Sequence, residues 1–495
     1  MNPIKQLFGQ TAVYGMGIVL PRLLNFVILT PFYTRRFDTG EYGIITELYA
    51  YVVLLLIILT YGMETGFFRF ASNSNKKNTI YTSILLSVFS TSLLFVIVIR
   101  MLMQPLSEWL QYGGNPEYIL WLAIIVAADA FTAIPFARIR LYNKAKKYTL
   151  IRIIEISVNI GLNLFFIKYC RDNYESVAWI SKIYDPSIGV GYVLISNLVS
   201  SLLKIILLSA EIFAFLKGKF DLQLFRQVLK YSYPLLIAGL AGAVNEALDR
   251  VLLKHLLDPA SDPMGQLGIY GANYKIAVLM TLYVQAFRYA AEPFFFSKSG
   301  EKDAKILYAD VMKYYIIPGL LIFLVVNVYL EYFKLFIGPE FREGVHIVPV
   351  VLMANLLIGI FFNLSIWYKL EDKTMIGAML VITGALITIV VNITFVPGFG
   401  YIASAWGHLL CYSVMITLSY LLSRKHFRIP YDFRRILIYF ITIVGFFYAD
   451  RLLTLQDSSV TNVLKPVWIL AALVIFYVGE KQGFVKYTKA VNKTG

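Results

Sequence analysis

The sequence predicts an all-α polytopic membrane protein of about 14 transmembrane helices, built as two pseudo-symmetric six-helix lobes plus two C-terminal helices. Three observations predict this class. Of 495 residues, 58% are hydrophobic and 15% charged, against about 45–50% and 25% in a soluble domain. Long apolar runs alternate with short loops throughout, and a hydrocarbon core about 30 Å thick needs roughly 20 apolar residues per helical crossing. Lys and Arg crowd every second loop, as they do on the cytoplasmic side of polytopic proteins.

Taken in order, the expected spans are 11–33, 43–64, 79–104, 117–137, 148–170, 190–216, 231–257, 268–296, 310–330, 345–368, 375–396, 401–422, 434–452 and 462–480. The runs are too long for strands, even where Ile and Val abound. Only helices or closed barrels satisfy their backbone inside lipid. The first run is too long for a cleavable signal and lacks a small-x-small cleavage site, so it is expected to remain as a span.

Orientation follows from the basic residues. The even-numbered connections carry groups such as Arg69, Lys76 and Lys77, then Arg138, Arg140, Lys144, Lys146 and Lys147, then Arg424, Lys425, Arg428, Arg434 and Arg435. The odd-numbered connections carry far fewer, and the bias is roughly three to one. Both termini are therefore expected in the cytoplasm. The net charge of +15 sits at membrane borders rather than on one patch, which argues against nucleic acid and for anionic headgroups. Cys170 and Cys411 are the only cysteines, too few for a disulfide framework or a thiolate metal site.

An internal repeat sets the expected domains. A shift of 228 positions lays Arg22 on Arg250, Gly40-Glu41-Tyr42-Gly43 on Gly268-Ile269-Tyr270-Gly271, Glu64 on Glu292, and Phe67-Phe68 on Phe295-Phe296. Six spans separate the copies, so they share an orientation. The expected division is an N-terminal lobe at 1–220, a C-terminal lobe at 221–430, and two further helices with a cytoplasmic tail at 431–495. Paired lobes of this kind commonly hold a substrate near the midplane.

Charges inside the spans are the candidate site. An ionised side chain at a helix centre costs about 2.5–3.5 kcal/mol on insertion scales, so it needs a wet cavity or a partner. Arg22 follows Pro21 near the middle of the first span, with Asn25 one turn on. It reads as an anion ligand, or as one half of a pair with a carboxylate on another helix. Arg250 lies one turn after Glu246, and Arg288 one turn before Glu292, so pairing along the helix competes with ligand contact. Lys204 is mid-span beside Ser200 and Ser201; Lys275 is near the outer end of the eighth span. Arg152 and Lys254 lie near span ends, where snorkelling suffices. Asp129, Glu155, Glu246, Asp249, Glu64 and Glu292 are candidates for ion coupling or for counter-charge, and Glu47 is a further embedded acid. Five deep cations suggest an anionic substrate, and a diphosphate suits bidentate guanidinium contacts.

Several chemistries lack their motif. No Gly-x-x-x-x-Gly-Lys-Ser/Thr loop occurs, nor His-Glu-x-x-His, and the four histidines are far apart. The longest loop, about Arg171 to Gly189, is short for a catalytic domain, which disfavours a polymerase or ligase.

The chain resembles the polysaccharide-biosynthesis membrane proteins of the multidrug/oligosaccharidyl-lipid/polysaccharide exporter superfamily, in the O-antigen and exopolysaccharide flippase branch. The residues that carry the likeness are Arg22, Phe26, Pro31, Tyr33-Thr34-Arg35, Glu41-Tyr42-Gly43 and Gly62-Met63-Glu64, then Tyr231 through Leu235, Asp249-Arg250, Tyr274-Lys275-Ile276-Ala277, Gln285 through Arg288 and Glu292 through Phe295. A late segment, Lys373 through Asn392 and Pro397 to Tyr401, continues it. The resemblance implies a non-enzymatic flippase that turns an undecaprenyl-diphosphate-linked oligosaccharide across the bacterial inner membrane by alternating access. It implies a cationic cavity to which Arg22, Arg250, Lys275 and Arg288 correspond by position, with Lys204 and Asn25 as further candidates. Lipid II flippases and multidrug antiporters of the same superfamily are the alternatives. No cofactor is expected beyond a coupling Na⁺ or H⁺. Expected partners are the lipid-linked glycan and membrane lipids, with polysaccharide polymerase and glycosyltransferases as candidate neighbours.

Overall fold

The computed structural model describes residues 19–72, 74–298, 301, 303–371, 373–456 and 464–481; the side chains of 289, 290, 292, 293, 297 and 454–456 lie outside that description. Glu292 is among these, so its expected role falls outside the described residues. All regular elements among the described residues are helical.

Helices occupy the described parts of all the expected spans; among the described residues nine are long and apolar enough to cross a membrane, or ten with one bent pair. The other four have identifiable reasons. The first and last run into residues outside the description. The seventh, within Leu222–Leu256, carries Lys230, Glu246, Asp249, Arg250 and Lys254 along its length. The eighth is not one helix: Pro263–Ile276 and Val278–Ser297 are separated at Ala277.

Local sequence explains how several spans begin and break. Asp38 accepts the Glu41 N–H at 2.7 Å while Glu41 accepts the Asp38 N–H at 3.2 Å, a reciprocal cap that starts the Thr39–Thr60 helix. Such a cap contributes about 1 kcal/mol. That helix stops where Tyr61 and Gly62 turn left-handed (φ 32° and 73°), and it resumes as Met63–Ala71. The sixth span bends by 56° between Gly191–Leu207 and Ser209–Lys217. In the first span, the helix widens to a π turn over Asn25–Leu29, one turn past Pro21. Hydroxyls along the spans are satisfied locally: Thr34, Thr46, Thr60, Thr132 and Ser196 each donate to the carbonyl four residues back.

The chain forms two compact units, Met1–Gly271 with Thr388–Ser404, and Ala272–Ile387 with Ala405–Gly495. In the first, Leu222–Leu256 packs lengthwise on Thr39–Thr60, with Ala50, Ala247 and Val251 buried between them. Close approach recurs where the repeat copies meet. A Cβ on Gly43 would stand 2.1 Å from the Met264 carbonyl oxygen, and one on Gly268 would stand 1.9 Å from that of Thr39. Glycine at both positions lets the backbones touch, the usual device for helix contact in lipid.

In the second unit, Phe361, Trp367, Tyr368, Cys411, Tyr412 and Met415 form a buried core, and the Trp367 indole donates to Ser419 Oγ at 3.2 Å. Lys313 Nζ lies 2.8 Å from Glu480 Oε2, and the Tyr439 hydroxyl donates to Glu480 Oε1 at 2.9 Å. Those contacts tie the two last helices to Ala304–Val328. On the part of Thr374–Phe399 that belongs to this unit, Met375, Met379, Ile382 and Leu386 are exposed along one helical face. An apolar stripe of that length faces lipid.

Candidate functional site

Six of the embedded charges of the first unit fall into two networks. In one, Lys204 is 2% exposed and its ammonium donates to Asp129 Oδ1 at 2.6 Å and Glu155 Oε1 at 2.8 Å. Arg152 closes on the other Glu155 oxygen at 3.0 Å, with its guanidinium 4.3 Å from the Phe136 ring centroid. Ser201 Oγ donates to Asp129 at 2.8 Å. Two cations thus face two carboxylates, in helices Glu117–Leu141, Ala145–Leu164 and Gly191–Leu207. Lys204 is therefore held by carboxylates, and Arg152 is anchored to Glu155 rather than extended to a membrane border.

A polar thread runs from this region toward the first span. Asn159 Nδ2 donates to Ser200 Oγ at 3.4 Å, Asn163 donates to Asn159 Oδ1 at 3.3 Å, and the Tyr33 hydroxyl donates to Asn163 Oδ1 at 2.7 Å. Ser200 and Ser201 are neighbours, so hydroxyl and amide groups line a route between helices that are otherwise apolar.

The second network was illegible in the sequence. Glu47 is fully buried and Lys254 nearly so, with Lys254 Nζ 3.0 Å from Glu47 Oε2. The Tyr112 hydroxyl donates to the same carboxylate oxygen, and the Tyr51 hydroxyl reaches Oε1 at 3.2 Å. Lys254 also donates to the Leu110 carbonyl and lies 4.3 Å from the Tyr112 ring centroid. The expected snorkelling of Lys254 is corrected: it turns inward, because a buried carboxylate and a carbonyl solvate it better than the apolar helix surface. Their separation by 207 positions hid the pair. Five residues before Lys254, Asp249 is buried and accepts from the Tyr270 hydroxyl at 2.6 Å.

The remaining candidates are more accessible. Arg22 is exposed on the described part of the first span, and Asn25 is exposed where the π turn begins. Arg250 is half-buried, and its Nη1 donates to the Glu246 backbone carbonyl at 3.1 Å. The Glu246 side chain is exposed. Glu64 pairs with Arg140, a residue the sequence placed in a loop. Arg22 and Arg250 belong to the first unit, Lys275 and Arg288 to the second. Lys275 is exposed, and Arg288 is exposed with its guanidinium 4.4 Å from the Phe362 ring centroid. Arg288 and Lys369 line a small hollow of about 20 Å³ with Asn363 and Ser365, room for about one water molecule. Among the described residues, no group of three His, Cys, Asp or Glu side chains is placed to hold a metal ion.

The sequence model for polysaccharide biosynthesis proteins matches residues 8–299. The chain belongs to that family. A curated relative from Haemophilus influenzae, an uncharacterized membrane protein, is 20% identical over 377 residues, 72% of this chain and 82% of the relative. Among solved structures, the family member is similar to lipid II flippase MurJ in an inward closed conformation: TM-score 0.70, 15% identity, 94% of this chain and 99% of the other. It is also similar to an inward-facing multidrug resistance MATE transporter of the multidrug/oligosaccharidyl-lipid/polysaccharide superfamily: TM-score 0.61, 12% identity, 84% and 97% covered. At such identities the likeness establishes the fold, which this family shares with polytopic flippases and transporters. The protein is a multi-pass membrane protein with that architecture.

Proposed function

We propose that this protein is a flippase that moves an undecaprenyl-diphosphate-linked oligosaccharide from the inner to the outer leaflet of a bacterial cytoplasmic membrane, with both termini inside. The observation that carries this reading is the family match over residues 8–299, borne on a fold shared with flippases. Arg22, Arg250, Lys275 and Arg288, with Asn25, are the proposed ligands of the diphosphate. Guanidinium groups bind diphosphate bidentately, and charge-assisted bonds of this kind contribute about 1.5–3 kcal/mol each. The Lys204 cluster is a counter-charged lock rather than a ligand in this reading, since both of its carboxylates are within 2.8 Å.

The protein supplies no bond-making chemistry in this scheme. Its work is to let the headgroup cross while the prenyl tail stays in lipid. Equal affinity in the two conformations moves nothing, so net export draws on membrane potential, a Na⁺ or H⁺ gradient, or consumption of the product outside. Asp129 and Glu155 are the proposed coupling carboxylates, because a proton or Na⁺ taken up there competes with Lys204. Glycosyltransferases on the inner side and a polymerase on the outer side are the proposed functional neighbours.

A second reading, flipping of lipid II, is favoured by the TM-score of 0.70 to the MurJ structure. Reconstitution separates the two. Proteoliposomes loaded with lipid-linked oligosaccharide or with lipid II are expected to show outward movement of the former only; selective movement of lipid II would reverse the assignment.

A further inference from the structure

One cavity in the first unit takes no part in the scheme above. It holds about 500 Å³, within the range of small-molecule sites, about 300–1,000 Å³. It lies beneath the loop Arg171 to Gly189, on the side that the Lys and Arg bias assigns to the exterior. Phe37 and Glu41 wall it from the turn between the first two spans, Arg171 and Asp172 from the end of the fifth, and Tyr174, Glu175 and Tyr184 from the loop itself.

The walls are held in place before any ligand arrives. Arg36 grips Asp172 through two parallel bonds of 2.7 and 2.8 Å, and Arg171 Nη1 donates to the Arg36 carbonyl at 3.0 Å. Tyr184 stacks on Tyr192 with centroids 4.7 Å apart, and the Tyr192 hydroxyl accepts the Asp185 N–H at 2.7 Å. A pre-formed pocket spares a ligand the cost of ordering it.

Lining chemistry selects the ligand class. Glu41 and Glu175 stand against one lining guanidinium, Arg171, while Asp172 is already matched by Arg36, so the lining keeps a net negative charge that disfavours a diphosphate. Carboxylates accept from hydroxyl groups, Arg171 and the tyrosines donate to them, and aromatic faces cover apolar C–H surfaces. Burial pushes the Tyr184 phenol up from its ordinary value, which keeps it protonated and able to donate. We propose that this cavity is a saccharide-binding site that receives the sugar end of the transported lipid on the outer side, apart from the cationic residues that hold its diphosphate. The proposal rests on the flippase reading for the source of its ligand.

The test uses the full chain in nanodiscs with Ser176→Cys, a lining position in an exposed part of the loop, and a maleimide label. The probes are the oligosaccharide released by mild acid from the host's lipid-linked pool, and inorganic diphosphate. The oligosaccharide is expected to slow labelling at least fivefold, diphosphate to leave it unchanged, and Tyr174→Ala with Glu175→Gln to remove the protection. No protection by oligosaccharide, or equal protection by diphosphate, overturns the proposal. In proteoliposomes, the double variant is expected to slow movement of the native lipid-linked oligosaccharide several-fold while leaving that of undecaprenyl-diphosphate-monosaccharide intact, which also excludes misfolding. Protection without movement of either lipid by the wild type would remove the flippase reading and keep the site. Movement of both lipids without protection would remove the site alone.

Discussion

Lys204, Lys254 and Arg22 are all basic residues inside predicted spans, yet they meet different surroundings. Lys204 and Lys254 are buried against carboxylates, whereas Arg22 is exposed on its helix. Removing one member of a buried pair leaves the other charge uncompensated, at about 3–5 kcal/mol. Lys254→Met is therefore expected to lower the unfolding temperature clearly, and Glu47→Gln with Lys254→Met to recover most of the loss; thermal unfolding in detergent measures both. A double variant as unstable as the single one would show that Glu47 is not what Lys254 neutralises. Arg22→Ala is expected to abolish glycan export, with losses of roughly ten- to a hundredfold in headgroup affinity, while protein levels and unfolding temperature stay as in wild type. Export at wild-type rate by that variant would take Arg22 out of the site. The sequence shows that a charge lies deep within a run; it does not show which distant carboxylate folds onto it. Hence Asp129 and Glu155 were legible as counter-charges in general terms, while the partnership of Glu47 with Lys254 was not.

At the scale of elements, the crossing of Thr39–Thr60 with Pro263–Ile276 joins the two copies of the repeat through Gly43 and Gly268. Gly43→Leu is expected to force these backbones apart, since even a Cβ would stand 2.1 Å from the Met264 carbonyl oxygen. The readout is faster labelling of a cysteine introduced at Thr46 by a membrane-impermeant maleimide; unchanged labelling would mean the helices yield elsewhere. In the second unit, Glu480→Gln weakens the attachment of the last two helices through Lys313 and Tyr439. Limited proteolysis is expected to release the C-terminal segment sooner in that variant, and an unaltered digestion pattern would speak against the tether. Span positions were readable because run length and border charges are set by bilayer thickness. Breaks were less so. Tyr61–Gly62, Ala277 and Leu208 interrupt helices without a proline, in runs whose apolarity continues across the break. Gly62, left-handed at φ 73°, is a local signal for the first break, whereas Leu208 and Ala277 carry none.

Across the whole molecule, the recurring apolar runs, the alternating basic loops and the 228-residue repeat all point to a polytopic protein of duplicated design. Family membership and the fold shared with flippases agree with that design. What composition alone could not supply was the count of crossings that meet the length and apolarity of a span, nine or ten among the described residues. Polar residues needed inside a transporter lower the apolarity of the helices that carry them, as Leu222–Leu256 shows.

The proposed mechanism depends on cations of the spans gripping a phosphorylated headgroup, and purified protein can be asked about them directly. In proteoliposomes carrying fluorescent undecaprenyl-diphosphate-oligosaccharide, wild type is expected to expose the lipid to an external quencher or enzyme, and Arg22→Ala with Arg250→Ala to stop that exposure. Equal transfer by the double variant, or none by wild type under any ion gradient, would contradict it.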